Sequence, residues 1–207
     1  MSKVTVSGEQ TGKGLSVSNL VTVGVFAALY FVVTAVVTFT VGVLIPVVGN
    51  LLLPAGVALL AGSIYYLLIA KVPRFGALTA IGVVMGAFFF FSGHFALSFA
   101  ACLVFGLGGD LVARAGAYVD QKLNLLGYVV FSFGITGPIL PLWLMRDQYV
   151  AALVARGKDS AYIDKVFAGV NGTMAVVVVA ATIVCAILGG IFGRGLVERH
   201  FKKANLA

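Results

Sequence analysis

Few side chains in this sequence could do chemistry, and the first of them is His94, in the run FFFFSGHFALSF. A neutral imidazole there could ligate iron or zinc or touch a bound ligand. It could equally sit at an interface, hydrogen-bonded to a loop carbonyl. Phe91 and Phe95 flank it and could wall an apolar ligand, although an aromatic run in such a segment also suits packing or lipid contact. Further along, TGPILPLWLMRDQY places Arg146 and Asp147 at the end of an apolar stretch. The arginine could clamp a carboxylate bidentately or snorkel at a membrane rim. Asn171 opens the last apolar stretch, and one extracellular mouth could gather His94, Arg146, Asp147 and Asn171. Asp110 stands four residues before Arg114, a spacing that predicts a structural i, i+4 ion pair. Cys102 and Cys185 lie inside apolar segments without metal-ligand spacing and read as inert packing residues. His200 reads as cytoplasmic surface.

Several absences narrow the function. The chain has no phosphate-cradling Gly-x4-Gly-Lys-Ser/Thr loop, so hydrolysis of a nucleotide by this chain is not expected. It has no His-Glu-x-x-His, Gly-x-Ser-x-Gly or paired-carboxylate motif either, and the expectation is a protein that is not an enzyme and carries no cofactor of its own.

The elements that must position these residues are apolar. Of 207 residues, 61% are hydrophobic and 10% charged, with a mean hydropathy of +1.10. Soluble domains run to roughly 25% charged, so a membrane protein is indicated. The net charge of +7 could suggest a nucleic-acid partner, but the charges fall between apolar runs, which is a topology signal and not a binding face. Hydrophobic segments are expected at about 20–39, 51–70, 75–91, 95–113, 125–145 and 169–193. The polar stretch 146–168, with Tyr149, Leu153, Tyr162 and Val166, suits one or two short amphipathic helices. With the N-terminus inside, cytoplasmic pieces would hold ten of the 14 Lys and Arg residues, and the other four would share 146–168. The fold expected is therefore all-α, an integral membrane bundle of six transmembrane helices with both termini cytoplasmic. A disordered lead at 1–18, without the pattern of a signal peptide, precedes the membrane domain at 19–200, and a tail follows at 201–207. The location expected is the cell membrane, within the lipid bilayer. Gly24-x-x-x-Ala28, Gly82-x-x-x-Gly86 and Gly189-x-x-x-Gly193 are small-residue faces that let helix backbones approach closely, within the bundle or against another subunit.

The runs LVTVGVFAALYFVV, RFGALTAIGVVMGAFFFFSGH, GLGGDLVARAGAY and LGYVVFSFGITGPILPLWLMRDQY resemble the Trep_Strep family over about residues 18 to 200. Members are classed as substrate-binding S components of energy-coupling factor (ECF) transporters, a branch of the ABC transporters. The resemblance implies a six-helix bundle with an outward pocket for a small-molecule substrate. It also implies partners: a membrane coupling subunit and two cytoplasmic ATPases. Docking would use a small-residue face on helix one, here Gly24 and Ala28. Some members are associated with haem uptake, so haem is the cargo considered first and a vitamin or related micronutrient the alternative. For haem, His94 would be the axial ligand, Phe88 to Phe91 and Phe95 aromatic walls and Arg146 the carboxylate clamp.

Overall fold

The computed structural model describes residues 15–45 and 49–204, with side chains described as far as 199. The lead at 1–14, Pro46, the side chain of His200 and the end of the tail lie outside the described residues. Every regular element described is helical: α1 (Val17–Leu44), α2 (Gly49–Leu60), α3 (Gly62–Lys71), α4 (Ala77–Phe91), α5 (Ala96–Ala115), α6 (Gln121–Ser132), a 3-10 turn (Phe133–Thr136), α7 (Pro141–Leu144), α8 (Arg146–Ala155), α9 (Ser160–Phe167) and α10 (Gly172–Ala204).

Ser16 starts α1 by accepting the Asn19 N–H at 3.2 Å, and 28 helical residues follow. At 1.5 Å per residue this helix is about 42 Å long. One face is buried through Val23, Phe26, Ala27, Tyr30, Thr34 and Val37, at helical spacing. The opposite face leaves Val21, Val25, Val32 and Val36 exposed, and α10 likewise exposes Val176, Leu188 and Phe192. Exposed apolar faces of this extent are stable in hydrocarbon and unfavourable in water. α1, α5 and α10 are long and apolar enough to cross a membrane, and the pair α2–α3, bent by 46°, makes up to a fourth crossing.

Glycine sets the closest helix contacts. A Cβ on Gly82 would collide with the Cys102 carbonyl of α5, and one on Gly86 would press on Phe99. On α10, a Cβ on Gly189 would strike the Ala58 carbonyl, and one on Gly193 would strike the backbone of Gly62, just past the bend between α2 and α3. Two of the small-residue faces are thus packed inside the bundle. The third is open: Gly24 and Ala28 are exposed, and a Cβ on Gly24 would meet nothing within 4 Å. At the centre, Tyr65 packs against Tyr128 at 4.9 Å between ring centroids, and Tyr30 meets Phe131 edge-on at 5.4 Å. Both buried phenols of the Tyr65–Tyr128 pair find carbonyl acceptors, Tyr65 on Asn124 at 3.0 Å and Tyr128 on Ala58 at 2.6 Å.

Three local expectations meet the structure here. The stretch expected as one segment at 125–145 is α6, a 3-10 turn and the four-residue α7, because Pro138 and Pro141 lack the N–H groups a continuous helix needs. Asp110 does not pair with Arg114. Its Oδ2 accepts from Gly76 N–H at 2.8 Å, Thr79 N–H at 3.1 Å and the Thr79 hydroxyl at 2.9 Å. Its Oδ1 accepts from the Tyr118 hydroxyl at 2.8 Å, while the Arg114 guanidinium lies over the Phe75 ring at 5.0 Å. A fully buried carboxylate therefore holds the first turn of α4, where unpaired N–H groups and the helix dipole favour an anion. The turn after α5 reaches this carboxylate through two left-handed residues, Ala117 (φ 50°) and Tyr118 (φ 59°). Finally, the polar stretch 146–168 folds as two short helices, α8 and α9, as its pattern suggested.

Candidate functional site

The two short helices lie over a cavity of about 720 Å³ at one end of the bundle. That volume lies within the range of small-molecule sites, roughly 300–1,000 Å³. α1 contributes Phe31, Thr34, Ala35 and Thr38, residues that share one face of the helix. Phe88 and Phe89 of α4 stand beside this face, while Ile135, Pro138 and Ile139 come from the broken segment after α6. The covering helices supply Tyr149 and Leu153 from α8, and Tyr162, Lys165 and Val166 from α9. The walls are mainly apolar. Thr34 and Thr38 donate their hydroxyl protons to the carbonyls of Tyr30 and Thr34, at 2.9 and 2.7 Å, so toward a ligand they can only accept.

His94 is at the rim, in the turn that joins α4 to α5. Gly93 makes that turn at φ 89°, a conformation open to glycine without strain. Ser92 donates its hydroxyl proton to the Phe89 carbonyl at 3.0 Å. His94 Nδ1 lies 3.1 Å from that same hydroxyl oxygen and 3.2 Å from the Phe89 carbonyl. Both neighbours are acceptors, so the network assigns the proton to Nδ1 and leaves Nε2 with a free lone pair. The residue is exposed, yet its ring packs edge-on against Phe89 at 5.3 Å. Burial of that side of the ring pulls the imidazole pKa below 6.5, the Phe89 carbonyl opposes the shift, and the nearby Arg156 guanidinium adds to the lowering. Arg156 ties the covering helices to the rim, donating from Nη2 to the Gly93 carbonyl at 2.8 Å.

Comparison with known proteins adds one finding. The model of a family described as hypothetical bacterial integral membrane protein (Trep_Strep) matches residues 17–203. The chain belongs to the Trep_Strep family. No curated protein and no solved structure matches it. The Trep_Strep chain is thus an integral membrane protein, in agreement with its apolar outer faces.

Among the residues singled out by sequence, the structure brings His94 to the cavity and distributes the others around it. Phe95 stands one layer behind, stacked on the cavity-lining Tyr149 at 5.7 Å. Arg146 is exposed at the start of α8, with its guanidinium 4.8 Å from the centre of the Phe167 ring. Asp147 is exposed in the first turn of the same helix, where the dipole favours a carboxylate. Asn171 caps α10, accepting the Met174 N–H at 2.8 Å on its side chain and the Trp143 indole N–H at 3.0 Å on its carbonyl. Phe91 is 85% exposed on the outer surface. Among the described residues no three His, Cys, Asp or Glu side chains gather as a metal site.

Residues missed by sequence reasoning are Thr34, Thr38, Asn50 and Lys165, all at the cavity of the Trep_Strep protein. The threonines were hidden in a long apolar run. For Lys165 a signal existed, since it falls three residues after Tyr162 on the apolar side of α9.

Proposed function

We propose that this Trep_Strep protein is the substrate-specificity (S) component of an energy-coupling factor importer. It captures a small nutrient from outside and delivers it through a membrane coupling subunit driven by two cytoplasmic ATPases. The observation that carries the reading is the mainly apolar cavity of about 720 Å³, partly covered by α8 and α9, in a membrane bundle. A binding protein needs such a chamber, and active uptake by it needs an external energy source, since no nucleotide loop is present. On this reading the chain crosses the membrane six times, as α1, the bent pair α2–α3, α4, α5, the interrupted segment from α6 to α7, and α10. Both termini then face the cytoplasm.

Haem is the cargo proposed first. It is flat and largely apolar, and the free Nε2 of His94 at the rim is suited to an axial position on iron. A vitamin or related micronutrient would use the same walls without the iron bond. The experiment is purification of the protein from cells grown in rich medium, followed by an absorption spectrum and mass spectrometry of whatever is bound. A haem spectrum that changes in His94→Ala supports haem, and a different small molecule replaces haem while keeping the class. An empty protein that binds no small molecule overturns the function.

A further inference from the structure

The cavity's polar groups are unevenly distributed by chemistry. Among the described residues, Lys165 is the one lining residue that carries a formal charge, and no Asp or Glu lines the cavity. Lys165 and Tyr162 are exposed at the mouth of the cavity and Tyr149 is half-buried; among the described residues, Lys165 has no ion-pair partner, and the hydroxyls of Tyr149 and Tyr162 have no hydrogen-bond partner within the protein. All three stand on the covering helices α8 and α9. Tyr149 and Tyr162 are electrostatic neighbours, and Arg156, tied to the Gly93 carbonyl, adds positive charge beside Tyr149. The acids of this region are placed elsewhere: Asp159 caps α9 on the Tyr162 N–H at 2.8 Å, and Asp147 and Asp164 are exposed outside the lining. Away from these helices the wall is mainly apolar, with Phe31 and Phe88 in edge-on contact at 4.6 Å and Ile135 also in the lining, and the Thr34 and Thr38 hydroxyls there are spent on backbone carbonyls. Phenol donors and a cation at the mouth, with a mainly apolar wall behind them, select a molecule that has an anion at one end and an apolar body behind it.

We propose that the cavity recognises an anionic amphiphile, with its carboxylate or similar anion held by Lys165 and the Tyr149 and Tyr162 phenols and its apolar body against Phe31, Phe88 and Ile135. The inference rests on the reading of the cavity as a ligand site, and its test separates the two. Trp143 is the single tryptophan and packs on Ile139 and Leu142 of the cavity wall, so it serves as a built-in energy donor. The full chain, in nanodiscs of zwitterionic lipid, is titrated with anilinonaphthalene sulfonate and with N-phenylnaphthylamine, a similar aromatic body without the anion. Energy transfer from Trp143 reports binding, against empty discs as background.

The sulfonate is expected to bind more tightly than the neutral probe. Lys165→Ala should weaken the sulfonate alone, by about three- to tenfold, as expected for a single partly solvated charge contact, and Lys165→Arg should restore it. Tyr149→Phe and Tyr162→Phe should act in the same direction, with the neutral probe as the control for an intact cavity. Filling the chamber with Ala35→Phe and Thr38→Phe together should block both probes. If that double variant blocks both but Lys165→Ala leaves the sulfonate unchanged, anion recognition is overturned and the ligand site stands. If the filled variant binds both probes as before, the ligand site itself is overturned, and this inference with it. Discs containing phosphatidylglycerol distinguish the source of the anion. Displacement of the sulfonate there makes a bilayer lipid the occupant and overturns the cargo assignment, whereas undiminished binding supports a water-borne ligand.

Discussion

His94 stands at the rim of the cavity. It makes the hydrogen bond of an interfacial histidine, through Nδ1 to the Phe89 carbonyl, and it also lines the cavity. Its pKa lies below 6.5, because one side of the ring is buried and Arg156 is nearby. By NMR, the ring should therefore titrate below the 6.5 of a free imidazole and be neutral at pH 7. The folded state binds this proton less readily than the unfolded state. Its contribution to stability is thus present above pH 6.5 and lost as pH falls through the folded pKa. Titration at or above 6.5 would contradict the burial described. Asp110 is the second residue whose loss should be visible. Asp110→Ala would strand Gly76 N–H, Thr79 N–H and the Tyr118 hydroxyl in a part-buried site, at a cost of about 1–3 kcal/mol. A marked drop in melting temperature in detergent is expected, and an unchanged one would show that the carboxylate is dispensable. The sequence made Asp110 legible as a structural residue but pointed to the wrong partner. Spacing along one helix cannot display Gly76 and Thr79, which come from the start of another.

At the scale of elements, the amphipathic pattern was the most informative signal in the chain. Tyr149, Leu153, Tyr162 and Val166, the residues that suggested short helices at 146–168, all line the cavity. The charged pair beside them was less informative, because Arg146 and Asp147 sit on the exposed side of α8. Periodicity reports which face is covered, whereas residue type alone does not. Segment 125–145 shows the opposite limit: its apolar content was plain, but the break was set by Pro138 and Pro141 together with the packing of Gly137 against Ser98. The three small-residue faces give a comparative prediction. Gly82→Val and Gly189→Val place side chains against α5 and α2 backbone, and each should destabilise the bundle by about 1–3 kcal/mol or more. Gly24→Val meets open space and should leave the melting temperature unchanged. If the Gly24–Ala28 face docks a coupling subunit, Gly24→Trp should stop uptake in cells while the purified protein still binds its ligand. Loss of both would assign that face to folding instead.

At the scale of the molecule, the proposed function depends on which way the bundle faces. Charge distribution argues for the cavity opening outward, since ten of the 14 Lys and Arg residues fall in pieces that would then be cytoplasmic. The remaining four, Arg146, Arg156, Lys158 and Lys165, are all on or between α8 and α9. Several of these have local partners in the structure. Arg156 holds Gly93, Lys158 lies over Tyr162 at 4.8 Å, and Arg146 lies over Phe167 at 4.8 Å. Cations retained on the disfavoured side for such contacts do not weaken the topology argument. Single cysteines introduced at exposed positions in 150–165 should therefore react with a membrane-impermeant maleimide added to intact cells. Cysteines near 72 and 118 should react only after the membrane is opened. The protein's own Cys102 is buried and hydrogen-bonded to the Gly134 carbonyl at 3.2 Å, and Cys185 lies within α10, so background labelling should be low. Labelling in the reverse pattern would place the cavity on the cytoplasmic side. An importer's capture site cannot face that way before its cargo arrives, so the reversed result would remove the proposed function along with the orientation.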